Sequence, residues 1–270
     1  MDLSLFERLF HISTNGAEAP EISVPLNELL ESEAKMLQFL QKGKELVRGI
    51  GLELAVSFTG LAFLGIAVTK QVVMSQYDRI LDLSPSNLTI QIECHNGYPN
   101  IVFKIHHVRW TNLMMENRAD AVITEWNQYF EQHFNPIIEH ITAVAGLKPN
   151  LIWNQFGTRT AYVMNYFREN LPPDLPLQRL DEDFTLLETL PAQCFNRKRK
   201  NPFQHSPRFI DNPYDPGKQI MVRSACCLYD KRDNGVKCYN CPRLKEDDRA
   251  EKRAQIEAEL VAKEAQKAAQ

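Results

Sequence analysis

Several common routes to function are missing from this chain of 270 residues. Six cysteines are too few to build a disulfide scaffold in a chain this long. No basic region followed by an apolar run opens it, so the expected location is the cytoplasm, where thiols stay reduced. A bilayer span takes about 20 apolar residues. The longest uncharged run, Leu54 to Thr69, falls short of that and carries Ser57 and Thr59. Charge of one sign is also lacking. The formal net charge is -3, from 31 Lys and Arg against 34 Asp and Glu, which argues against nucleic acid as a partner. Gly49-Ile50-Gly51 lacks the third glycine of a dinucleotide fingerprint, and neither a P-loop nor a Ser-centred nucleophile elbow is found.

What remains is the pattern of a globular α+β protein, with 44% hydrophobic and 24% charged residues. Leu29, Leu30, Met36, Leu37, Phe39 and Leu40 recur at helical spacing over 27–47. The run from Leu54 is apolar all round, as expected of a helix in the centre of a domain. The period then drops to two. Leu88, Ile90, Ile92 and Cys94, and after Asn96-Gly97 also Ile101, Phe103 and Ile105, predict a β-hairpin with one buried face that includes Cys94.

Helical spacing returns over Arg118–Phe134, again from a start at Pro136, and over Leu151–Arg168, where Pro172-Pro173 ends it. Beyond residue 170 prolines punctuate a stretch with little sustained periodicity. Four units are expected: a body over 1–190, a basic Pro-rich linker over 191–220, a cysteine motif over 221–243 and a charged, exposed helical tail over 244–270.

Chemistry concentrates in the third unit. Cys226, Cys227, Cys238 and Cys241 fall within 16 positions, in the pattern C-C-x10-C-x2-C. A C-x2-C turn brings two thiolates to one side, and Asp233-Asn234-Gly235 supplies a reversal that carries the first pair back to the second. Four thiolates suit either a structural zinc ion or an iron–sulfur cluster with two cysteines on each iron. Structural zinc sites draw on two C-x2-4-C knuckles, whereas Cys226 and Cys227 are adjacent and their side chains diverge, which is the better match to two irons. Arg223 and Lys237 flank the cysteines. The histidines, among them His106, His107, His133 and His140, show no ligand spacing and are expected to be structural.

Arg197-Lys198-Arg199-Lys200 is the one concentrated basic patch. It is a candidate landing surface for an anionic substrate or an acidic protein.

The run Arg223-Ser224-Ala225-Cys226-Cys227-Leu228-Tyr229, the ten-residue gap and Cys238-Tyr239-Asn240-Cys241-Pro242 together resemble the C-terminal signature of FhuF-type siderophore-iron reductases. The alanine-containing apolar helix, the Gly97-Tyr98-Pro99 turn and Trp153-Asn154, similar to that family's Trp-x-Asn motif without the intervening residue, extend the likeness over about residues 50–243. The body also resembles the C-terminal lobe of aerobactin-type siderophore synthetases. The resemblance implies a [2Fe-2S] cluster on Cys226, Cys227, Cys238 and Cys241. It implies one-electron reduction of Fe3+ in a siderophore in the bacterial cytoplasm, at most with peripheral contact at the inner membrane face. With neither a flavin nor a nicotinamide signature in the chain, electrons are expected from a separate donor protein. A zinc-stabilised siderophore- or protein-binding module without redox activity is the alternative.

Overall fold

The computed structural model describes residues 3–170, 176–197 and 199–268. Its axis is α4 (Glu53–Tyr77), whose sequence offers no polar stripe and which is accordingly packed on nearly every side. This is the one described helix long and apolar enough to cross a membrane, and 83% of its most apolar window is buried inside the protein. Around it pack α1 (Ser4–Phe10), α3 (Glu33–Val47), α6 (Asn135–Val144), α7 (Asn150–Asn170) and α8 (Leu177–Thr189). Gly60 allows α4 and α7 to approach closely, since a Cβ there would lie 2.4 Å from Cγ1 of the buried Ile152. Two further helices complete the body, α2 (Leu26–Glu31) and α5 (Arg118–Tyr129), and α9 (Glu246–Ala268) follows the cysteines.

The helix expected over 27–47 is in fact two. Ser32 breaks it in an extended conformation and caps α3, its Oγ accepting from the Lys35 amide at 3.3 Å. The two helices expected to meet at Pro136 are continuous instead. A π turn over Phe130–Phe134 joins α5 to α6, which gives the ring of Pro136 room against the preceding turn.

The predicted hairpin is β4 (Leu88–His95) and β5 (Tyr98–Ile105), registered from Leu88 opposite Ile105 to His95 opposite Tyr98. Asn96 and Gly97 both have positive φ, as a two-residue hairpin turn of this hand requires. Its burial departs from expectation at both ends. β1 (Ile12–Ser13) runs parallel to β5 and β2 (Ile22–Pro25) antiparallel to β4, making a sheet of order β1-β5-β4-β2. The N-terminal segment covers the second face, so Thr89 and Gln91 are buried too, with Gln91 bonded to the Ala17 amide and to Ser23. The tip projects past the core, and Cys94, expected inside, is exposed. Two ribbons, β3 (Arg79–Leu81) with β6 (Trp110–Asn112) and β7 (Phe209–Asp211) with β8 (Gln219–Met221), complete the strands.

Helix α8 is a correction to the reading of an aperiodic stretch after residue 170. Leu180, Phe184 and Leu187 stand at helical spacing between Pro176 and Pro191, a signal outweighed by the prolines on either side. Pro172 and Pro173 lie outside the described residues. The stretch beyond α8 wraps the body: Phe195 and Phe203 insert among Phe130, Trp153 and Phe156, with ring centroids 4.6 to 6.1 Å apart. Each such ring contributes about 2–3 kcal/mol through burial. Buried Asn201 fixes the chain between them, donating to the carbonyls of Leu187 and Leu190 and accepting from the Phe203 amide.

Candidate iron–sulfur site

The cysteine loop is held against α4 and α7 by side chains that the body supplies. Ser57 Oγ on α4 donates to the Cys227 carbonyl at 2.8 Å, and Gln155 on α7 donates to Ser57. Thr158 and Ser224 exchange hydrogen bonds, each amide donating to the other's hydroxyl. The reversal at Asp233-Asn234-Gly235 is pinned from the other side: the Ile50 amide donates to the Lys231 carbonyl and the Asp233 amide to that of Arg48. The second cysteine pair closes as a turn, with the Cys241 amide on the Cys238 carbonyl at 3.0 Å.

All six cysteines are free thiols. The four of the motif are brought together as two pairs. Cys226 and Cys241 pack with Leu228, and Cys238 and Leu244 lie against that cluster. Cys227 and Cys238 line a groove of about 630 Å³ between α1, α4, β5 and α7. The divergence expected of adjacent side chains is therefore realised, and Leu228, with φ of +62°, turns the chain directly after the pair. Among the described residues no three His, Cys, Asp or Glu side chains converge on a single ion position.

Burial pushes the Cys226 thiol up to about 11, and the neighbouring Cys241 adds to the shift. Cys238 is also raised by burial, with Arg223 pulling the other way. Arg223 Nη1 donates to Cys227 Sγ at 2.8 Å. Arg159, one helical turn along α7 from Gln155, lines the groove with no carboxylate partner among the described residues. Protein atoms crowd its guanidinium enough to lower its pKa, and Arg223 adds repulsion. Donors to sulfur and uncompensated cations are what an anionic cluster on four thiolates requires, so the donor set fits a [2Fe-2S] centre.

The other predicted positions lie elsewhere. Arg197 donates to Asn154 at 2.7 Å and its pKa is lowered by burial, while Arg199 and Lys200 are exposed. Lys198 lies outside the described residues. None of the groove-lining residues comes from this basic patch. Trp153 is buried among aromatic rings, and His106 is satisfied by Thr89 at 3.0 Å.

Two contributors had no sequence signal. Arg159 is one arginine on a helix. Arg249 sits in a tail of alternating charges, yet it is 5% exposed. Its guanidinium donates to the carbonyls of Tyr239, Cys241 and Leu244, and Lys252 donates to that of Lys237. The first turns of α9 thus clamp the second cysteine pair.

No curated protein and no solved structure matches the chain. The model of the FhuF 2Fe-2S C-terminal domain matches residues 223–243, the segment that carries all four paired cysteines and Arg223. That match decides between iron–sulfur and zinc in favour of the cluster. Residues 223–243 are thus similar to the 2Fe-2S C-terminal domain of the FhuF type, and a [2Fe-2S] cluster is the cofactor of this segment.

Proposed function

We propose that the protein is a ferric-siderophore reductase, with Cys226, Cys227, Cys238 and Cys241 as the cluster ligands. The observation that carries this reading is the place of the cysteines: Cys227 and Cys238 line a groove large enough for a small chelate, and Cys226 and Cys241 pack around Leu228 beside them. A [2Fe-2S] cluster supplies electrons one at a time. The substrate is Fe3+ in a siderophore, reduced to Fe2+ by one electron from a separate donor protein. Hard oxygen ligands hold Fe2+ less tightly, so the ion exchanges out.

The chain's own residues serve this in three ways. Arg223 and Arg159 offset negative charge at the thiolates, which favours the reduced state. Ser57 and Thr158 fix the loop's backbone. The apolar faces of α4 and β5 line the groove. Exposed Arg199 and Lys200 offer an acidic donor protein a docking surface away from the groove. The proposed setting is the cytoplasm, where such a donor and reduced thiols are available.

The test is iron, sulfide and zinc content with a visible spectrum before and after dithionite, on protein purified without oxygen. It is followed by trapping of Fe2+ from a ferric siderophore. About two irons and two sulfides per chain, a bleachable colour and trapped Fe2+ are expected, and Cys238→Ser abolishes or destabilises the colour. One zinc and no colour, or an unchanged spectrum in Cys238→Ser, would overturn the ligand assignment.

A further inference from the structure

A second cavity, of about 260 Å³, lies beside the cysteine loop, and apart from Ala225 only polar side chains line it. Helix α7 contributes Gln155, Thr158, Arg159 and Tyr162, which its spacing places on one face. The loop contributes Arg223, Ala225 and Asn240. The cavity shares Arg159 and Arg223 with the groove, but neither a cysteine nor an Asp or Glu lines it. A water molecule takes up about 30 Å³ of the liquid, so this space exceeds what one bridging water would fill.

Most of the hydrogen-bonding capacity around the cavity is already used. Gln155 donates to Ser57 and to the Leu151 carbonyl, and Thr158 is bonded to Ser224. The Tyr162 hydroxyl and the Asn240 side-chain amide both donate to the Met221 carbonyl, at 3.2 and 3.0 Å. The guanidinium groups are the exception. Arg223 has one N–H on Cys227 Sγ, and Arg159 has neither a hydrogen bond nor a carboxylate partner among the described residues. Each guanidinium carries five N–H donors in a planar fork that matches two oxygens of an oxyanion. Arg159 is exposed, so ions from solvent reach it.

We propose that this cavity binds a small tetrahedral oxyanion of the phosphate class on Arg159 and Arg223, and that the bound ion tunes the redox potential of the cysteine site. The same two cations offset negative charge at the thiolates, so an anion held by them opposes the addition of an electron beside it. By linkage, an anion that binds the oxidised protein more tightly than the reduced one makes reduction harder to the same degree. The proposal rests on the [2Fe-2S] ligand assignment, not on the reduction of a siderophore.

Inorganic phosphate is the probe. Calorimetric titration of the holoprotein reads binding, and a spectroscopic redox titration at fixed pH, with phosphate or with potassium chloride at the same ionic strength, reads the coupling. Phosphate is expected to bind the oxidised form about tenfold or more tighter than the reduced form, so saturation moves the midpoint potential about 59 mV or more to the negative for a one-electron couple. Arg159→Gln is expected to weaken phosphate binding by about tenfold or more. Ala225→Leu, which keeps both arginines and fills the cavity, is expected to remove the phosphate-dependent shift. The visible spectrum of each variant reports whether the cluster site has folded, and Arg159, exposed on α7, is replaced without touching the loop.

Absence of binding at millimolar phosphate overturns the site. An equal shift with chloride at the same ionic strength is screening alone and overturns the coupling. Phosphate binding unaltered in both variants, with their spectra intact, overturns the cavity as its location, even if ferric siderophores are reduced. A phosphate-dependent potential that both variants lose, in a protein that reduces no ferric siderophore, supports the cavity and overturns the reductase reading instead.

Discussion

Replacing Arg249 tests whether the charged tail is part of the cluster site. Its guanidinium donates to three carbonyls, those of Tyr239, Cys241 and Leu244, and stacks with its centre 5.8 Å from the Tyr239 ring centroid.

 Tyr239 and Cys241 are 4% and 1% exposed, so water cannot replace the lost donor at either carbonyl. A hydrogen bond to a charged group contributes about 1.5–3 kcal/mol. Two such bonds at the low end make Arg249→Ala cost about 3 kcal/mol, which is about a hundredfold in an opening equilibrium. The loss falls on the loop, because the main core lies in the body. The assay is the rate at which excess iron chelator bleaches the cluster, alongside the thermal midpoint. Bleaching is expected to accelerate by about a hundredfold while the midpoint of the body changes little. Arg249→Lys, which keeps the charge but loses the planar fork, falls between. A bleaching rate within about twofold of wild type, with α9 still helical, would refute the clamp.

Three further outcomes follow from the same geometry. Gly60→Ala places a Cβ against the branched side chain of Ile152 where neither helix can yield, so it is expected to cost about 1–3 kcal/mol and lower the thermal midpoint by about 5 °C, read by calorimetry. Arg223→Gln removes the N–H donated to Cys227 Sγ and a positive charge beside it, so the midpoint potential in a spectroscopic redox titration becomes more negative. An unchanged potential would mean that the guanidinium does not act on the cluster. His133 and His205 both have pKa values lowered from 6.5, chiefly by burial. The unfolded chain therefore takes up protons first as pH falls below about 6.5, and stability declines from there until the folded-state sites are protonated too. His133→Gln is expected to flatten this decline in denaturant titrations at a series of pH values, and an unchanged slope would exclude His133 as its source.

Local chemistry made much of this protein readable in advance. An apolar run without a polar stripe can only be stable inside a fold or a membrane, and α4 is buried accordingly. Period-two alternation across Asn96-Gly97 needs no tertiary information to specify the β4–β5 hairpin. The spacing C-C-x10-C-x2-C marks the cluster segment because adjacent side chains diverge and a two-residue gap closes a turn. Helix α8 was obscured because its flanking prolines resemble those of a linker, although they bound a helix equally well.

Tertiary structure decided what depends on partners distant in sequence. Cys94 alternates with its strand but is exposed, because the length of the hairpin relative to the core sets its burial. The second face of the sheet is covered by a segment some 70 residues earlier, as the Ala17–Gln91 hydrogen bond shows. Arg159 and Arg249 carry no motif; they matter because α7 and α9 bring them to the cysteine loop. The sequence alone therefore determined the ligand types and their local geometry, which follow from short-range stereochemistry. Only the fold decided which of the thiols line the groove, because that depends on how α4, α7 and α9 pack around one loop.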